Sequence, residues 1–222
     1  FQHLRLSRDL DIVLIDATNP FGFGRCLPRG LLREGKWALR DAGAVVLTHT
    51  EEVSREVAHG LRARLKLLAP HASVHLAAHR PVRVIDGEGR PQDLAVLPGM
   101  KAMAFCGIGS PATFFGMLHN LGVRLAETVA LDDHVAYGRQ ELADLVRRAR
   151  EADVKALITT GKDHVKIEGL ETEVPVWRLE VDMEICEGRG ELVRRVLQAA
   201  RGHDAPGEAR CDPSADGGTI RE

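Results

Sequence analysis

The sequence predicts an α/β fold in which a mostly parallel sheet is flanked by helices and carries a small β-hairpin insertion. Short apolar runs alternate with stretches of helical periodicity along most of the chain, which is typical of such a sheet with right-handed crossovers. With 222 residues, 44% of them hydrophobic, the chain is long enough to bury a large core. The alternation predicts five or six short strands, and no internal repeat is visible.

The first half of the chain begins with a strand at 11–16, an apolar run between acids that is typical of a central parallel strand covered on both faces. A loop rich in Gly and Pro follows at 17–28. Its residues Phe21 to Gly24 favour an ordered, functional loop with an apolar surface. A plain surface Ω-loop is an equally good interpretation. The later elements predicted in this half are a helix that follows Leu31–Glu34 and runs through Trp37 and Arg40, a strand at 44–48, an amphipathic helix at 51–68 and a strand at 74–78.

The middle of the chain has two candidate anion-binding features. Arg80 comes just after the strand at 74–78, where an arginine either clamps a phosphate or lies on the solvated rim. Alternating residues at 82–96 around Asp86-Gly87 predict the hairpin. A strand at 102–106 then leads through Gly107-Ile108-Gly109-Ser110-Pro111 into a helix at 112–121. This loop resembles a phosphate cradle, although close packing of helix on strand explains its glycines equally well, and the Walker pattern is absent from the sequence.

The stretch from Leu131 to Tyr137 contains an imidazole, two carboxylates and a phenol between a predicted strand at 127–131 and a predicted helix at 138–152. Functional side chains of open α/β sheets lie at such strand-to-helix junctions. His134 is therefore a candidate general acid or base, with Asp133 or a carboxylate from elsewhere in the fold holding its tautomer. The alternative is a capped helix start, in which an aspartate accepts the first free N–H groups.

The last part of the chain contains a predicted strand at 156–160, followed by Lys162 and Asp163. These two residues either lie at the same kind of edge as His134 or form an ordinary solvated pair. A strand at 174–183 is predicted at an edge of the sheet because Pro175 has no N–H to donate, and a helix is predicted at 190–201. Residues 202–222 lack periodicity and are predicted to be a disordered tail.

The composition excludes several classes of function. The 30 basic residues are offset by 32 acidic ones, so the sequence lacks the footprint of a nucleic-acid-binding protein. The four cysteines are far apart, which argues against a zinc knuckle and favours reduced thiols. No apolar run reaches the ~18 residues of a membrane span, and no secretory signal peptide is visible. The sequence opens on Phe1 and runs at once into a strand, so we expect that its beginning is missing.

Five short motifs occur in order along residues 1 to about 182. They are Phe1-Gln2-His3 with the strand ending in Asp16-Ala17, Leu27-Pro28-x-Gly30-x-Leu32-Arg33-Glu34, Phe105-Cys106-Gly107-Ile108-Gly109-Ser110-Pro111, Asp133-His134 with Tyr137, and Thr159-Thr160-Gly161-Lys162-Asp163-x-Val165-Lys166. Each motif alone is modest. Together, in this order, they resemble the motifs of the tetraacyldisaccharide 4'-kinases of lipid A biosynthesis.

The resemblance implies ATP-dependent phosphorylation of the 4'-hydroxyl of a tetraacylated glucosamine disaccharide 1-phosphate, a lipid A precursor. This reaction takes place at the cytoplasmic face of the bacterial inner membrane, which the protein would bind peripherally. ATP and Mg²⁺ are the implied cofactors, with ligands mostly in the family's amino-terminal part. The implied site residues are His134 in the catalytic base dyad with Asp133 beside it, Arg33, Glu34 and Arg80 facing the disaccharide headgroup, and Gln2, Asp16, Lys162 and Asp163 at further motif positions.

The sequence also departs from the family pattern. It lacks the P-loop, the family's aspartate partner of His134 and the Asp-Asp pair that would precede Phe1, while Val135 replaces a second histidine and Gly161 a glutamate. We therefore expect 1–201 to be the carboxy-terminal portion of a kinase, inactive alone. The alternative is a non-catalytic α/β module that binds an acylated sugar or a partner subunit. The phenylalanines at positions 21, 23, 114 and 115 are expected to be core residues or, where exposed, lipid contacts.

Overall fold

The computed structural model describes residues 7–132 and 139–202. In this part of the chain, eight strands and five α-helices are formed. The strands are β1 (Ile12–Asp16), β2 (Ala44–Thr48), β3 (Ser73–Ile85), β4 (Pro91–Gln92), β5 (Lys101–Cys106), β6 (Arg124–Ala130), β7 (Ala156–Thr160) and β8 (Val176–Glu187). The helices are α1 (Arg55–Leu68), α2 (Pro111–Asn120), α3 (Arg139–Glu151), α4 (Gly161–Lys166) and α5 (Arg189–Gly202), with short 3₁₀ turns at Gly22–Gly24, Lys36–Asp41, Thr50–Glu52 and Leu94–Val96.

All eight strands belong to one sheet with the order β1-β2-β3-β8-β7-β5-β6, and β4 pairs with β3. Strands β1, β2 and β3 run parallel to each other, as do β8, β7, β5 and β6. The two sets are joined by the antiparallel pair of β3 and β8. The predicted fold class, a mostly parallel sheet with flanking helices and a hairpin, is therefore confirmed, with more strands than the five or six expected.

The long β3–β8 ribbon makes the carboxyl edges of the two parallel sets face each other. Strand β2 ends at Thr48, one residue after Leu47, which pairs with Leu76 of β3. Strand β7 ends at Thr160, which pairs with Leu179 of β8, and Leu179 in turn pairs with Val84 of β3. Because the two sets run in opposite directions, both carboxyl edges open into the same region, separated by roughly 20 Å of ribbon at about 3.3 Å per residue. We call this region the cleft.

The positions of two strands differ from the prediction. Within residues 7–132 and 139–202, strand β1 has one neighbouring strand, and its Ile12 and Leu14 are exposed. An apolar run alone does not reveal whether a strand has one neighbour or two. Strand β8, predicted at an edge, is central, because Pro175 precedes its first residue and uses only its carbonyl, which accepts a hydrogen bond from the Leu157 N–H at 3.0 Å.

Several predicted boundaries are also wrong, among them those of three elements in the first half of the chain. The helix expected after Leu31–Glu34, through Trp37 and Arg40, is only the 3₁₀ segment Lys36–Asp41, which begins after an extended Gly35. The helix expected from residue 51 begins at Arg55, where the Ser54 side chain accepts a hydrogen bond from the Val57 N–H. Strand β3 does not stop at residue 78 but continues to Ile85, so Arg80 lies inside a strand.

The core packs on both faces of the sheet. Strand β2 is buried along its whole length, and Leu47 packs with Leu65 of α1 on that side of the molecule. In the other half, alternate residues of β5 face opposite clusters, with Phe105 against α3 and Ala104 against α2. None of the helices in 7–132 and 139–202 is both long and apolar enough to cross a membrane.

The predicted hairpin is confirmed, since Val84 pairs with Gln92 across a turn held by Asp86. The Asp86 carboxylate accepts hydrogen bonds from the N–H groups of Arg90 and Glu88 and from the side chains of Gln92 and Arg90. The backbone bond from Arg90 is the largest cause that lowers the pKa of Asp86, which falls to about 2. The ionised carboxylate is therefore the organising group of the turn.

We expect Asp86→Ala to destabilise the protein at pH 7, and the difference from wild type to shrink as the pH falls from about 4 towards 2. The folded pKa lies below the ~3.9 of an unfolded aspartate. The carboxylate thus stabilises the fold above that value, and its contribution is lost as the pH falls through the folded pKa. Urea denaturation at several pH values measures the effect, with the exposed Glu88→Ala as the matched control. A difference that does not change with pH would contradict this account.

Candidate functional site

One side of the cleft is formed by charged and imidazole side chains at the carboxyl ends of β1 and β2 and in the middle of β3. The Asp16 carboxylate lies 3.6 Å from Nδ1 of His49, which follows β2 directly. The His49 ring stacks on the His79 ring with centroids 4.3 Å apart. The Glu51 carboxylate in turn lies 3.5 Å from Nδ1 of His79. Two imidazoles flanked by two carboxylates thus line this edge.

Local hydrogen bonds fix these side chains in place. The Thr50 hydroxyl donates to the carbonyl of Ala77 at 2.9 Å, which ties the loop after β2 to β3. The Thr18 N–H and hydroxyl both donate to Asp16, at 2.8 and 2.7 Å. Burial raises the pKa of Asp16, but the Thr18 hydrogen bonds, with the nearby His49, outweigh it and hold the pKa below its usual value. Asp16 is therefore an anion at neutral pH.

The other side of the cleft is the loop from Gly107 to Ser110, which is held by the buried carboxylate of Asp163. Asp163 is fully buried and accepts hydrogen bonds from the Gly107 N–H at 2.9 Å and from the Thr160 hydroxyl at 2.8 Å. Lys166 adds an ion pair at 3.1 Å. The interpretation of Asp163 as half of a solvated pair is therefore wrong. The motif Thr160 to Lys166 is a clamp that joins α4 to the loop after β5.

Neither of the two interpretations of the glycine-rich loop, a phosphate cradle or close packing of helix on strand, is fully supported. The Gly107 N–H is already bonded to Asp163, so it is not available to an anion. At Gly109, an added Cβ would meet nothing within 4 Å, so close packing does not require that glycine. Burial, reinforced by the charge of Asp163, raises the pKa of the neighbouring Cys106 thiol to about 12, which keeps it protonated and unreactive.

A side-chain contact joins the two sides of the cleft. The Thr113 hydroxyl, in the first turn of α2, donates to Glu52 at 3.0 Å and also lies 3.0 Å from the Ser110 hydroxyl. Glu52 belongs to the turn after β2, whereas Ser110 and Thr113 belong to the loop and helix after β5. This contact positions the glycine-rich loop opposite the histidine pair.

The structure brings only some of the predicted residues to the cleft. Asp16 and Asp163 lie on its two sides, and Lys162 is exposed in the first turn of α4. Arg33 and Glu34 lie instead along a groove of about 600 Å³ beside the edge strand β1. Arg80 lies within β3 and pairs with Glu184 of β8 at 3.5 Å, and because strand side chains alternate, it faces away from His79. Gln2, Asp133 and His134 lie outside the described residues.

Sequence reasoning missed His49, His79, Glu51 and Glu52. His49 directly follows a strand that was predicted correctly, so its strand-end position was a usable signal. His79 directly follows the strand predicted at 74–78, so its position gave the same signal, although β3 continues past it to Ile85. Among 7–132 and 139–202, no three His, Cys, Asp or Glu side chains are grouped as metal ligands.

Comparison with known proteins supports the resemblance. The family model described as tetraacyldisaccharide-1-P 4'-kinase matches residues 1–201. The tetraacyldisaccharide 4'-kinase of Geobacter metallireducens is 42% identical over 167 residues, covering 75% of this chain and 47% of that protein. The corresponding protein of Anaeromyxobacter sp. strain K is 36% identical over 204 residues, covering 90% and 53%. The chain thus spans about half the length of these relatives.

A solved structure shares the fold. The crystal structure of an "apo" form of LpxK from Aquifex aeolicus in complex with ATP superposes with a TM-score of 0.61 at 23% identity, covering 89% of this chain and 55% of that one. At that identity the likeness concerns the fold alone. The family model, in contrast, covers nearly the whole chain, so the chain belongs to the tetraacyldisaccharide-1-P 4'-kinase family.

Proposed function

We propose that residues 1–201 act as the carboxy-terminal portion of a kinase that transfers phosphate from ATP to the 4'-hydroxyl of a tetraacylated disaccharide 1-phosphate in lipid A biosynthesis. The family match over these residues carries the proposal. The cleft supports it, because open α/β sheets bind ligands where the carboxyl ends of their strands face a crevice. The site of action proposed is the cytoplasmic face of the bacterial inner membrane.

In this proposal, His134 takes the proton of the attacking hydroxyl and Asp133 is its neighbour. Strand β6 ends at Ala130, beside the end of β5, so the chain enters this segment from the cleft edge. Arg33 and Glu34, in the groove beside β1, bind the sugar phosphate headgroup, which suits the planar fork of an arginine. Arg80, Gln2 and Lys162 join the proposal on the resemblance alone.

The described residues do not by themselves fit a site for Mg²⁺ and a triphosphate. They contain no group of three metal ligands of the His, Cys, Asp or Glu type, and their glycine-rich loop has one N–H occupied by Asp163. The sequence contains no P-loop. The proposal therefore places most ligands of ATP and Mg²⁺ in sequence outside this chain.

The test is transfer of labelled phosphate from ATP to the tetraacyl disaccharide 1-phosphate, with enzyme expressed from the complete reading frame that encodes these residues. We expect a product that carries the label at the 4'-position. Binding of the disaccharide without transfer would favour the alternative, a non-catalytic module, for which the Gly161 and Val135 substitutions are the supporting observations. Neither binding nor transfer would show that the family fold here serves another function.

A further inference from the structure

The loop after β1, together with the first turn of the 3₁₀ segment Lys36–Asp41, exposes four large apolar side chains. Phe23 is 79% exposed, Leu27 62%, Leu31 60% and Trp37, in the first turn of that segment, 69%. We call residues 20–37 the apolar loop. Single exposed apolar residues are common on soluble proteins, but four within one short loop, including a tryptophan and a phenylalanine, indicate an interaction surface.

The apolar loop is ordered by its own backbone hydrogen bonds. Leu27 and Leu32 are paired by a bond of 2.9 Å from the Leu27 N–H, and the Leu31 N–H donates to Gly22 at 3.1 Å. A Cβ at Gly30 would lie 2.1 Å from the carbonyl oxygen of Arg25, so the turn closes too tightly for any other residue. The exposed side chains are therefore presented by a fixed scaffold, which lowers the entropy cost of binding.

A buried neighbour attaches the apolar loop to the core. Phe21 is buried in the cluster around Leu47 and Leu65, and the cations of Lys36 and Arg64 lie 4.6 and 4.9 Å from its ring centroid. Phe21 is thus a core residue and Phe23, two residues later, is not. The phenylalanines were expected to be core residues or, where exposed, lipid contacts. Phe21 is of the first kind, whereas Phe23 is exposed and can contact lipid.

Basic residues alternate along the sequence with the exposed apolar ones. Residues 20–40 contain five basic side chains and one acid. Arg25, Arg29 and Arg40 are exposed, and no carboxylate of the part of the chain that the structure describes forms an ion pair with them. An amphipathic surface with Trp, Phe and Leu among arginines complements an anionic bilayer, where the rings enter the headgroup boundary and the cations meet lipid phosphates.

We propose that the apolar loop is a preformed membrane-docking surface that inserts Phe23, Leu27, Leu31 and Trp37 into the interface of an anionic bilayer. The loop begins four residues after Asp16, so docking would place the β1 side of the cleft near the membrane surface. This inference rests on the proposed function for its biological context. Bilayer binding is measured without phosphate transfer, so the two proposals fail independently.

The experiment uses the chain of residues 1–222 and Trp37 as an internal probe. The protein has two tryptophans, so Trp177→Phe leaves Trp37 as the sole indole. On vesicles of phosphatidylcholine with phosphatidylglycerol, we expect Trp37 emission to shift to shorter wavelength and to be quenched by brominated acyl chains. On phosphatidylcholine alone, we expect weaker binding, and added salt should weaken binding to the anionic vesicles.

Matched variants distinguish binding through the apolar loop from binding that depends only on the protein's general hydrophobicity and charge. Phe23→Ser with Leu27→Ser should reduce vesicle partitioning at least about tenfold, whereas Leu67→Ser, at an 83% exposed position on α1, should not. Arg25→Gln with Arg29→Gln should weaken binding to anionic vesicles only, with Arg55→Gln on α1 as its control. Circular dichroism checks that each variant is folded.

Three results would overturn the proposal. One is equal partitioning of the Phe23 and Leu67 variants, and another is a lack of quenching of Trp37 by brominated lipid. The third is a lipid-free shift of Trp37 emission that follows protein concentration, since the loop would then be a contact between copies of this chain. Vesicle binding without phosphate transfer in the complete enzyme would leave this proposal standing and remove the proposed function.

Discussion

Replacing Asp163 by alanine is expected to lower the free energy of unfolding by about 3 kcal/mol. Asp163 is fully buried and accepts hydrogen bonds from the Gly107 N–H and the Thr160 hydroxyl, with Lys166 as its ionic partner. The truncation would leave the buried Gly107 N–H without this acceptor and would remove the ion pair of Asp163 with Lys166. Removing only one partner of a buried hydrogen bond costs more stability than removing both partners, because the remaining group stays buried and unbonded.

Urea denaturation of the alanine variant measures this loss, and two further variants define its cause. Asp163→Asn keeps an oxygen for the Gly107 N–H but removes the charge that Lys166 requires, so we expect an intermediate loss. Glu168→Ala, at an exposed position just after the same helix, should change stability by less than about 0.5 kcal/mol. An alanine variant as stable as the Glu168 variant would show that the clamp contributes nothing.

The clamp also links stability to the proposed site. The loop it holds reaches Thr113, whose hydroxyl meets Glu52 on the opposite side of the cleft. Loss of Asp163 releases the Gly107 end of this loop while α2, which packs Phe114 and Leu118 into the core, stays in place. The cleft geometry should therefore loosen before the fold as a whole does.

Much of the fold could be predicted because its strands are short, apolar and separated by amphipathic helices. The strand at 156–160 and the strand at 44–48 were predicted with their observed bounds. Local patterns do not encode which strands become neighbours, so β1 was expected at the centre and β8 at an edge. The long β3–β8 pairing explains both the continued strand at His79 and the facing carboxyl edges, and it depends on contacts about 100 residues apart.

The site was only partly predictable for the same reason. Asp16 was identified by its motif, but its contact with His49 requires the parallel pairing of β1 and β2. Asp163 was identified as a motif residue, and its chemistry was misjudged because two charged residues after a strand usually lie in solvent. Its burial follows from the tertiary position of Gly107, 56 residues earlier, which no local pattern contains.

His134→Ala is expected to reduce the turnover of phosphate transfer at least about 100-fold in enzyme from the complete reading frame, with little change in the KM for the disaccharide. In the proposed mechanism, the imidazole accepts the proton of the 4'-hydroxyl as the oxygen attacks phosphorus. That interaction exists only in the transition state, because the neutral hydroxyl needs no base in order to bind. A loss in turnover without a matching rise in KM is the signature of such a group.

The control for this prediction is His119→Ala, an exposed histidine in the last turn of α2 that is expected to leave turnover unchanged. Asp133→Asn separates the base from its neighbour, since it keeps the size of the side chain and removes the charge. If Asp133 has no role of its own, the asparagine variant should retain most of the turnover. If Asp133 orients the imidazole, the loss should lie between those of the two histidine variants.

Equal turnover of the His134 and His119 variants would remove His134 from the catalytic step. The base would then have to be sought in sequence outside this chain or in the His49–His79 pair, where two imidazoles already lie beside carboxylates at the edge of the cleft.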